Sequence, residues 1–303
     1  MRQRIANTTT VPKPKFSVII PTYQRLECLR DCLTGISANL AAKSDFEVIV
    51  VDDHSDDDPS VVINSFKPEF NVNLLYQEKN QGPAAARNRG AGHARGDYLL
   101  FIDDDCIPCP EWLDTIGEHL NGSDSLAIGG NCLNELNKRV FSEAQQMMMD
   151  YLYAYYNSDP TNAQFCPTNN LAIPRKGFLQ MGGFDTSFRK AAGEDRDFSA
   201  RWLRTGADMR FITDAPVYHQ HAMGLKEFFR MHYWYGRGAR RFHHLEAEKV
   251  DKKGLEPIGF YTGLIFFPFS QTTPMRAATI SLLQLLSQVA HTFGYLREMP
   301  LTR

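Results

Sequence analysis

The sequence predicts an α/β fold in which helices flank a mainly parallel sheet. Three apolar runs rich in β-branched residues read SVII at 17–20, EVIVV at 47–51 and YLLFI at 98–102. Such nearly continuous apolar runs are typical of parallel strands that are covered on both faces. Helical patterns lie between the runs, and strands that alternate with helices indicate βαβ units.

Several helices are predicted from apolar spacing and from proline and glycine positions. The first carries a stripe at three- and four-residue spacing, which predicts one buried face. Its members are Leu26, Leu29, Leu33, Ile36 and Leu40. A second helix begins at Pro83, since proline suits the first turn, and contains Arg87. We also expect a helix after Pro110, with Trp112 in the core, and another after Gly193.

Residues 223–303 differ in composition and predict a helical C-terminal extension. Arginines alternate with aromatic residues from 225 to 242. The apolar run 259–269 is too short to cross a bilayer, and Pro268 interrupts it. Ser, Gln and His recur through 277–296, which favours an amphipathic helix over a membrane-spanning one. Contact with a membrane surface and packing on the core domain or on a dimer partner are equal alternatives for this region.

The overall composition is that of an ordinary soluble protein. Asp and Glu number 35 against 33 Lys and Arg, so net charge gives no reason to expect nucleic acid as a partner. Residues 1–15 are polar and basic, which predicts a flexible arm and no secretory signal. The CxxC pair Cys106 and Cys109 has no second pair at zinc-site spacing. We therefore expect reduced thiols in a cytoplasmic protein.

Carboxylates follow two predicted strands at the sheet edge where ligands bind in such folds. Asp52 and Asp53 follow the run at 47–51, and Asp103, Asp104 and Asp105 follow the run at 98–102. Like charges at short range raise each other's pKa and destabilise the fold, and a divalent cation removes that cost. All-oxygen ligation suits Mg²⁺ or Mn²⁺. A solvated acidic turn is the alternative explanation, mainly for residues 56–58.

Six segments, taken in order, resemble family 2 glycosyltransferases of the GT-A fold. They read SVIIPTYQR at 17–25, EVIVVDDHSDD at 47–57, NQGPAAARNRG at 80–90, DYLLFIDDDC at 97–106, TNNLAIPRKGFLQMGGFD at 168–185 and GEDRDFSARW at 193–202. The resemblance implies a Rossmann-like GT-A domain over residues 16–222, between the arm of residues 1–15 and the helical region 223–303. Any one segment is a weak signal, but six in this order are specific.

The resemblance implies that the strand ends bind a nucleotide-sugar donor. Thr22 and Tyr23 are suited to stack on and hydrogen-bond a uracil-sized base, and Arg87 offers a cation for a phosphate oxygen. Asp104 is expected to face the ribose. The expected nucleotide-binding residues are Pro21, Thr22, Tyr23, Arg25, Asp52, Asp53, Gly82, Arg87, Asp103 and Asp104.

A metal site and a catalytic base follow from the same resemblance. Asp105, Asp103 and His219 are the expected ligands of Mn²⁺ or Mg²⁺, which would stabilise the departing diphosphate; His221 is a weaker candidate. Motif position assigns the base to Asp195, with Glu194 in reserve. The expected sugar and acceptor residues are Asn170, Gly183 and Asp185.

The resulting hypothesis is an inverting glycosyltransferase that uses one base and direct displacement. A UDP-sugar is the favoured donor, and the acceptor is a glycan, a lipid-linked sugar or a small molecule. The sequence does not decide whether the chain contacts the inner face of the cell membrane or forms a homodimer. The alternatives are a catalytically silent nucleotide-sugar binding protein and a sugar nucleotidyltransferase. The nucleotidyltransferase requires a glycine-rich, lysine-bearing loop after the first strand, and residues 21–25 do not form one.

Overall fold

The computed structural model describes residues 13–135, 139–188, 190, 192–220, 223–247 and 256–298. Residues 1–12 of the predicted arm, and His221, lie outside these ranges. Within them, eight strands form one sheet. The strands are β1 (Phe16–Thr22), β2 (Phe46–Asp52), β3 (Val72–Tyr76), β4 (Tyr98–Phe101), β5 (Cys106–Pro108), β6 (Leu126–Asn134), β7 (Leu171–Pro174) and β8 (Asp208–His219).

Eleven α-helices accompany these strands in the described part of the chain. They are α1 (Leu26–Ser37), α2 (Ser60–Phe66), α3 (Pro83–His93), α4 (Trp112–Leu120), α5 (Val140–Tyr156), α6 (Arg175–Gln180), α7 (Glu194–Arg204), α8 (Leu225–Ala247), α9 (Ile258–Phe266), α10 (Pro268–Gln271) and α11 (Pro274–Arg297). The division of the chain at residue 222 stays a prediction, since α5 packs on α8, α9 and α11.

The sheet has the strand order β3-β2-β1-β4-β7-β6-β8-β5. The first four strands in this order run parallel, as predicted. The other half is mixed, because β7 runs antiparallel to β4 and β6, and β5 runs antiparallel to β8. Strand order reverses between β1 and β4, and in open α/β sheets the carboxyl ends of strands at such a switch point bind ligands.

One hydrophobic core lies on each face of the sheet. On the face covered by α1, α2 and α4, the buried Leu29, Leu33 and Ile36 confirm the predicted stripe. The prediction for Leu40 is wrong: α1 ends at residue 37, and the side chain of Leu40 is 66% exposed. Trp112 begins α4 and is fully buried in this core, as predicted.

The opposite face is covered by α3, α6 and α7. Its centre is an aromatic cluster in which the rings of Phe178, Phe184 and Phe198 lie with centroids 4.7 to 5.4 Å apart. These contacts join α6 and the turn after it to the first turns of α7. The start of α7 is thereby held against the sheet, close to the carboxyl end of β4.

Helices α8 and α11 meet along two glycines. A Cβ added at Gly236 on α8 would lie 1.8 Å from the carbonyl oxygen of His291. A Cβ added at Gly294 on α11 would lie 1.9 Å from the carbonyl oxygen of Tyr233. Real Cβ atoms do not approach so closely, so the two helix backbones are packed at a distance that requires glycine.

Helix α11 is amphipathic, as predicted, but its apolar face points away from the core. The residues that it buries are Ala277, Ile280, Ser281, Gln284, Ser287 and Gly294. Its large exposed side chains, each at least 42% exposed, are Met275, Leu282, Leu285, Leu286, Val289, Phe293 and Leu296. None of the helices that the structure describes is both long and apolar enough to cross a membrane.

We expect Gly236→Ala to lower the free energy of unfolding by about 1–3 kcal/mol, because the added methyl group overpacks the contact between α8 and α11. Gly92→Ala is the matched control, since a Cβ at this position on α3 meets no atom within 4 Å. It should raise stability by up to about 1 kcal/mol through helix propensity. Urea unfolding measures both, and equal effects of the two changes would contradict the packing argument.

Candidate active site

A buried carboxylate, that of Asp53, directly follows the carboxyl end of β2. Asp53 Oδ1 accepts hydrogen bonds from Gln77 Nε2 and from the N–H of Gln81, both at 2.7 Å. Its Oδ2 accepts from the N–H of Gly82 at 2.8 Å. Gly82 is the N-cap of α3 and has a φ of 88°, a conformation that favours glycine. Asp53 and Gly82, both predicted to bind the nucleotide, therefore also fix the loop that leads into α3.

The other predicted nucleotide residues at this edge lie beside them. Thr22 at the end of β1 is paired in register with Asp52 at the end of β2. Asp52 is buried and accepts from the N–H of Ser55 at 3.1 Å. Pro21 is buried within β1, whereas the ring of Tyr23 is 44% exposed. The edge thus combines fixed polar groups with accessible aromatic rings, since Tyr76, paired in register with Asp52, is exposed as well.

The acids after β4 are held by a threonine and an arginine. Asp104 Oδ2 accepts from Thr22 Oγ1 at 2.7 Å. Arg25 Nη2 lies 2.6 Å from Asp104 Oδ1, and Arg25 Nη1 lies 2.5 Å from Asp105 Oδ2. Burial raises the pKa of the Asp104 carboxyl to about 7, although Arg25 acts against this shift. Arg25 therefore supplies part of the positive charge that these adjacent acids require.

Three potential metal ligands converge beside this arginine. Asp105, Cys106 and His219 place their ligand atoms within 4.8 Å of one another. Register pairs Cys106 with His219 across β5 and β8, and His219 Nε2 lies 3.3 Å from Asp105 Oδ1. Burial lowers the pKa of His219, but the hydrogen bond to Asp105 prevails and raises it to about 9. A hydrogen bond with Cys132, together with burial, raises the pKa of the Cys106 thiol.

This donor set fits a divalent cation of the Mn²⁺ type, because carboxylate oxygen and imidazole nitrogen both bind such ions. Asp105 and His219 are the residues that would hold it. Asp103, also predicted as a ligand, lies outside this cluster and contacts Arg87 instead. All six cysteines, Cys106 among them, are free thiols.

Arg87 joins three segments of the site. Only 1% of it is exposed, and its Nη2 donates to Asp103 Oδ1 at 2.6 Å while its Nη1 donates to Glu194 Oε1 at 3.1 Å. Glu194 Oε2 also accepts from the N–H of Ala192 at 2.8 Å. Burial raises the pKa of Glu194 to about 7. Arg87 and Glu194 thus form a buried bridge between α3, the end of β4 and the start of α7.

Asp195 follows this bridge and faces an adjoining cavity. Its Oδ1 accepts from the N–H of Arg196 at 2.8 Å, and burial raises the pKa of its carboxyl. Among the described residues, four carboxylates line the cavity. Asp103 and Glu194 pair with Arg87, and Glu256 pairs with Arg196. Asp195 is the one without an ion-pair partner among the described residues.

The structure does not place the predicted sugar and acceptor residues in this cavity. Asn170 is fully buried; it accepts from Trp112 Nε1 and donates to the carbonyl oxygens of residues 131 and 215. The prediction that Asn170 lines a pocket is therefore wrong, since its amide stabilises the core. Gly183 forms a turn with φ of 73° against Asn88. Asp185 accepts from the N–H of Ser187 and lines a separate surface depression.

The cavity has a volume of about 260 Å³ and extends from the acids into the helical region. Arg87, Asp103, Glu194 and Asp195 form its polar end. The remainder is lined largely by apolar, aromatic and histidine side chains from α5, α8, α9 and α11. Among these are Met148, Met149, Leu152, Tyr156, His232, Tyr235, His243, Phe260, Tyr261, Leu264 and His291.

Sequence reasoning missed these lining residues. The only signal was the aromatic and basic composition of the segment 225–242, which gave no direction for individual side chains. Three of the missed residues are histidines that burial keeps neutral. Burial lowers the pKa of His232 to about 3, and those of His243 and His291 to about 4.

The depressed pKa of His232 generates a prediction on stability. Below pH 6.5 the unfolded chain takes up a proton at this position and the folded chain does not, so stability falls as pH falls towards about 3. The free energy of unfolding of the natural protein, relative to His232→Phe, should drop by about 1.4 kcal/mol per pH unit over this window. Urea unfolding at several pH values measures it, and a difference that stays constant with pH would contradict the assignment.

Comparison with known proteins agrees with the resemblance seen in the sequence. The family described as "Glycosyl transferase family 2" matches residues 17–182. Glycosyltransferase AglE of Haloferax volcanii is 35% identical over 226 residues, which are 74% of this chain and 73% of that protein. Chondroitin synthase of Escherichia coli is 28% identical over 243 residues, but these cover 69% of this chain and only 35% of the synthase.

Solved structures show the same fold. Mannosyltransferase PcManGT from Pyrobaculum calidifontis, in complex with GDP-Man and Mn²⁺, superimposes with a TM-score of 0.62 at 18% identity, over 92% of this chain and 76% of that one. Residues 1–349 of S. aureus TarS, in complex with UDP-GlcNAc, give a TM-score of 0.56 at 18% identity, over 93% of this chain and 89% of that one. These are GT-A structures, so the predicted fold class is confirmed. Because the family match covers more than half of the residues and AglE is similar over about three quarters of them, this chain belongs to glycosyltransferase family 2 and is a glycosyltransferase.

Proposed function

We propose that this glycosyltransferase inverts the anomeric centre and uses Asp195 as its base. The observation that carries the proposal is the state of the four cavity-lining carboxylates. Three of them hold arginines, and Asp195 alone has no ion-pair partner among the described residues. A raised pKa makes a carboxylate a better proton acceptor near neutral pH. Glu194, the reserve candidate, is committed to Arg87.

The donor in this proposal is a nucleotide sugar, with UDP as the favoured carrier. Two structural neighbours were solved with GDP-Man and with UDP-GlcNAc, which supports a nucleotide-sugar site at the equivalent sheet edge. In this chain, the exposed ring of Tyr23 is positioned to stack on a base at the end of β1. Arg25 and Arg87 both contact the acids after β4, but the side chain of Arg25 is 42% exposed and that of Arg87 is buried, so Arg25 is the one within reach of a phosphate oxygen.

A divalent cation, Mn²⁺ or Mg²⁺, bound by Asp105 and His219 would neutralise the charge that develops on the departing diphosphate. The protein's own groups perform the rest. Asp195 accepts the proton of the acceptor hydroxyl, whose oxygen forms a bond to the anomeric carbon. The bond from that carbon to the diphosphate oxygen breaks with its electron pair. A single displacement of this kind inverts the configuration.

The base assignment is tested with Asp195→Asn. Release of UDP from a UDP-sugar, measured with Mn²⁺ present, should fall by about 10²–10⁴-fold, because the amide cannot accept the proton. Calorimetry should show unchanged binding of UDP, since Asp195 lies on the acceptor side. Asp214→Asn, at an exposed carboxylate on β8, is the matched control and should behave like the natural protein. Near-normal turnover in Asp195→Asn would refute the proposal.

The same assay distinguishes the metal site from the base. Asp105→Asn should abolish the dependence of UDP binding on Mn²⁺, while Asp195→Asn keeps it. Binding of UDP that is equally tight with and without Mn²⁺ in the natural protein would remove the metal from the proposal. Tighter binding of GDP or dTDP than of UDP would change the donor class and leave the base assignment standing.

For the C-terminal region, the proposal includes docking on the anionic inner face of the cell membrane. Over residues 277–296, the exposed side chains of α11 include no charged group. Further exposed apolar residues lie on α9 and α10, namely Ile258, Phe266 and Phe269. Exposed apolar patches of this extent are typical of docking surfaces in soluble proteins.

Charge favours a lipid surface over a second copy of the chain. Residues 223–303 contain eleven Lys and Arg against six Asp and Glu, whereas the rest of the chain contains 22 against 29. Two copies that meet through this region would bring like net charges together. An anionic lipid surface attracts the same region, and its apolar side chains then insert into the interface.

Co-sedimentation with vesicles tests the docking surface. The protein should pellet with vesicles that contain phosphatidylglycerol, and less with pure phosphatidylcholine or at high salt. A double substitution on α11, Leu282→Gln with Val289→Gln, should abolish pelleting. Leu40→Gln with Leu179→Gln, two exposed leucines outside the region, is the control. If the natural protein stays in the supernatant, or if the α11 variant only converts a dimer to a monomer, lipid docking is wrong.

A further inference from the structure

The cavity beside Asp195 has a polar end and an apolar end. Its polar end holds the carboxylate that we assign as the base. Beyond it, the wall includes Met149 and Leu152 on α5, which pack against the cluster that contains Phe260 and Leu264 on α9. Phe260 and Leu264 are at most 8% exposed, so this part of the wall belongs to the packed interior, while the cavity itself is partly open to solvent.

The charged residues that line the apolar end in the described part of the chain, Arg196 and Glu256, are paired with each other. Arg196 lies 3.4 Å from Glu256, with its guanidinium 5.1 Å from the centre of the Tyr156 ring. Burial keeps the histidines that line this end neutral, as their lowered pKa values indicate. A phosphate or carboxylate placed here would lose its hydration and find no unpaired cation among the described residues, at a high cost in free energy.

Three polar atoms of cavity-lining residues have no hydrogen-bond partner among the described residues: Arg87 Nε, Asn169 Oδ1 and His232 Nε2. His232 on α8 is 1% exposed, and its Nε2 makes no hydrogen bond to any residue that the structure describes. Buried polar groups of native proteins are rarely left in this state unless a ligand or water completes them. Of these three atoms, His232 Nε2 lies on α8 and offers a hydrogen-bonding point in the part of the wall that the helices form.

The size of the space limits what fits. A cavity of roughly 150 Å³ is known to hold one benzene ring, and the volume here is about 260 Å³. The space therefore suits one or two fused rings, or a branched apolar group of similar bulk, and a longer acceptor would extend from it through the opening to solvent.

From these observations we infer that the acceptor carries an uncharged, ring-sized apolar group close to its reacting hydroxyl. The apolar group occupies the space between α5 and α9, and a second polar group hydrogen-bonds His232 Nε2. The hydroxyl at the other end gives its proton to Asp195 as its oxygen bonds to the anomeric carbon, and the diphosphate leaves with the electron pair of the broken bond. This inference rests on the proposed function, because it takes Asp195 as the base.

Simple aromatic alcohols test the inference without knowledge of the natural acceptor. The full chain, with UDP-sugar and Mn²⁺, is offered naphthol, naphthalenediol, hydroxynaphthoate or methyl glucoside. Binding is followed by calorimetry and glycoside formation by mass spectrometry. We expect naphthol to bind at least tenfold more tightly than hydroxynaphthoate or methyl glucoside, the tenfold corresponding to about 1.4 kcal/mol. The diol should bind more tightly than naphthol, because its second hydroxyl reaches His232.

Two variants locate the binding space. Met149→Trp fills the cavity and should abolish naphthol binding, and His232→Phe should remove the advantage of the diol while keeping naphthol binding. Leu40→Trp, at an exposed position outside the cavity, is the control and should change neither. Unchanged Mn²⁺-dependent UDP binding in each variant shows that the fold and the donor site are intact.

The outcomes separate this inference from the proposed function. If naphthol binds no better than methyl glucoside, or binds equally well to Met149→Trp, the apolar acceptor site is wrong, while UDP release that depends on Asp195 still supports the base. If UDP release does not depend on Asp195, the proposed mechanism fails whatever the acceptor result.

Discussion

The bridge from Arg87 to Asp103 and Glu194 is the interaction on which the rest of the site depends. It connects a helix, a strand end and a second helix through one side chain that is almost completely buried. Such a charge is tolerable only with its partners in place, and removal of one partner typically costs about 3–5 kcal/mol. The bridge consumes two carboxylates and leaves the next residue along α7, Asp195, to face the cavity.

Carboxylates that look equivalent in the sequence therefore have different partners and different roles in the structure. Asp53 fixes the loop before α3 by three hydrogen bonds. Asp104 is buried against Thr22 and Arg25, and Asp105 is shared between Arg25 and His219. The role of each carboxylate depends on whether an arginine or a backbone N–H lies within a few ångströms of it. The dense acidity of this edge is thus partly structural, and only part of it is available to a cation.

Helix α11 buries mainly small and polar side chains and exposes its large apolar ones. Small and polar residues such as Ser287 pack against α8, where Gly236 and Gly294 allow close approach of the backbones. The bulky apolar residues of the same helix point outward. The inward face helps to enclose the cavity beside Asp195, and the outward face is exposed.

The sequence by itself determined the parallel half of the sheet, the helices that begin at Pro83 and after Gly193, and the gathering of acids at the strand ends. Those features depend on local periodicity, on proline and glycine, and on strand order, all of which are written in short segments. Only the tertiary structure decided that β7 runs antiparallel, that Asn170 is a core residue, and that Cys106 lies across a ladder from His219. Strand direction and side-chain pairing depend on contacts between residues far apart in the chain, and no local pattern specifies them. The cavity is the extreme case, because its wall is assembled from four distant helices whose composition alone does not show which side chains face inward.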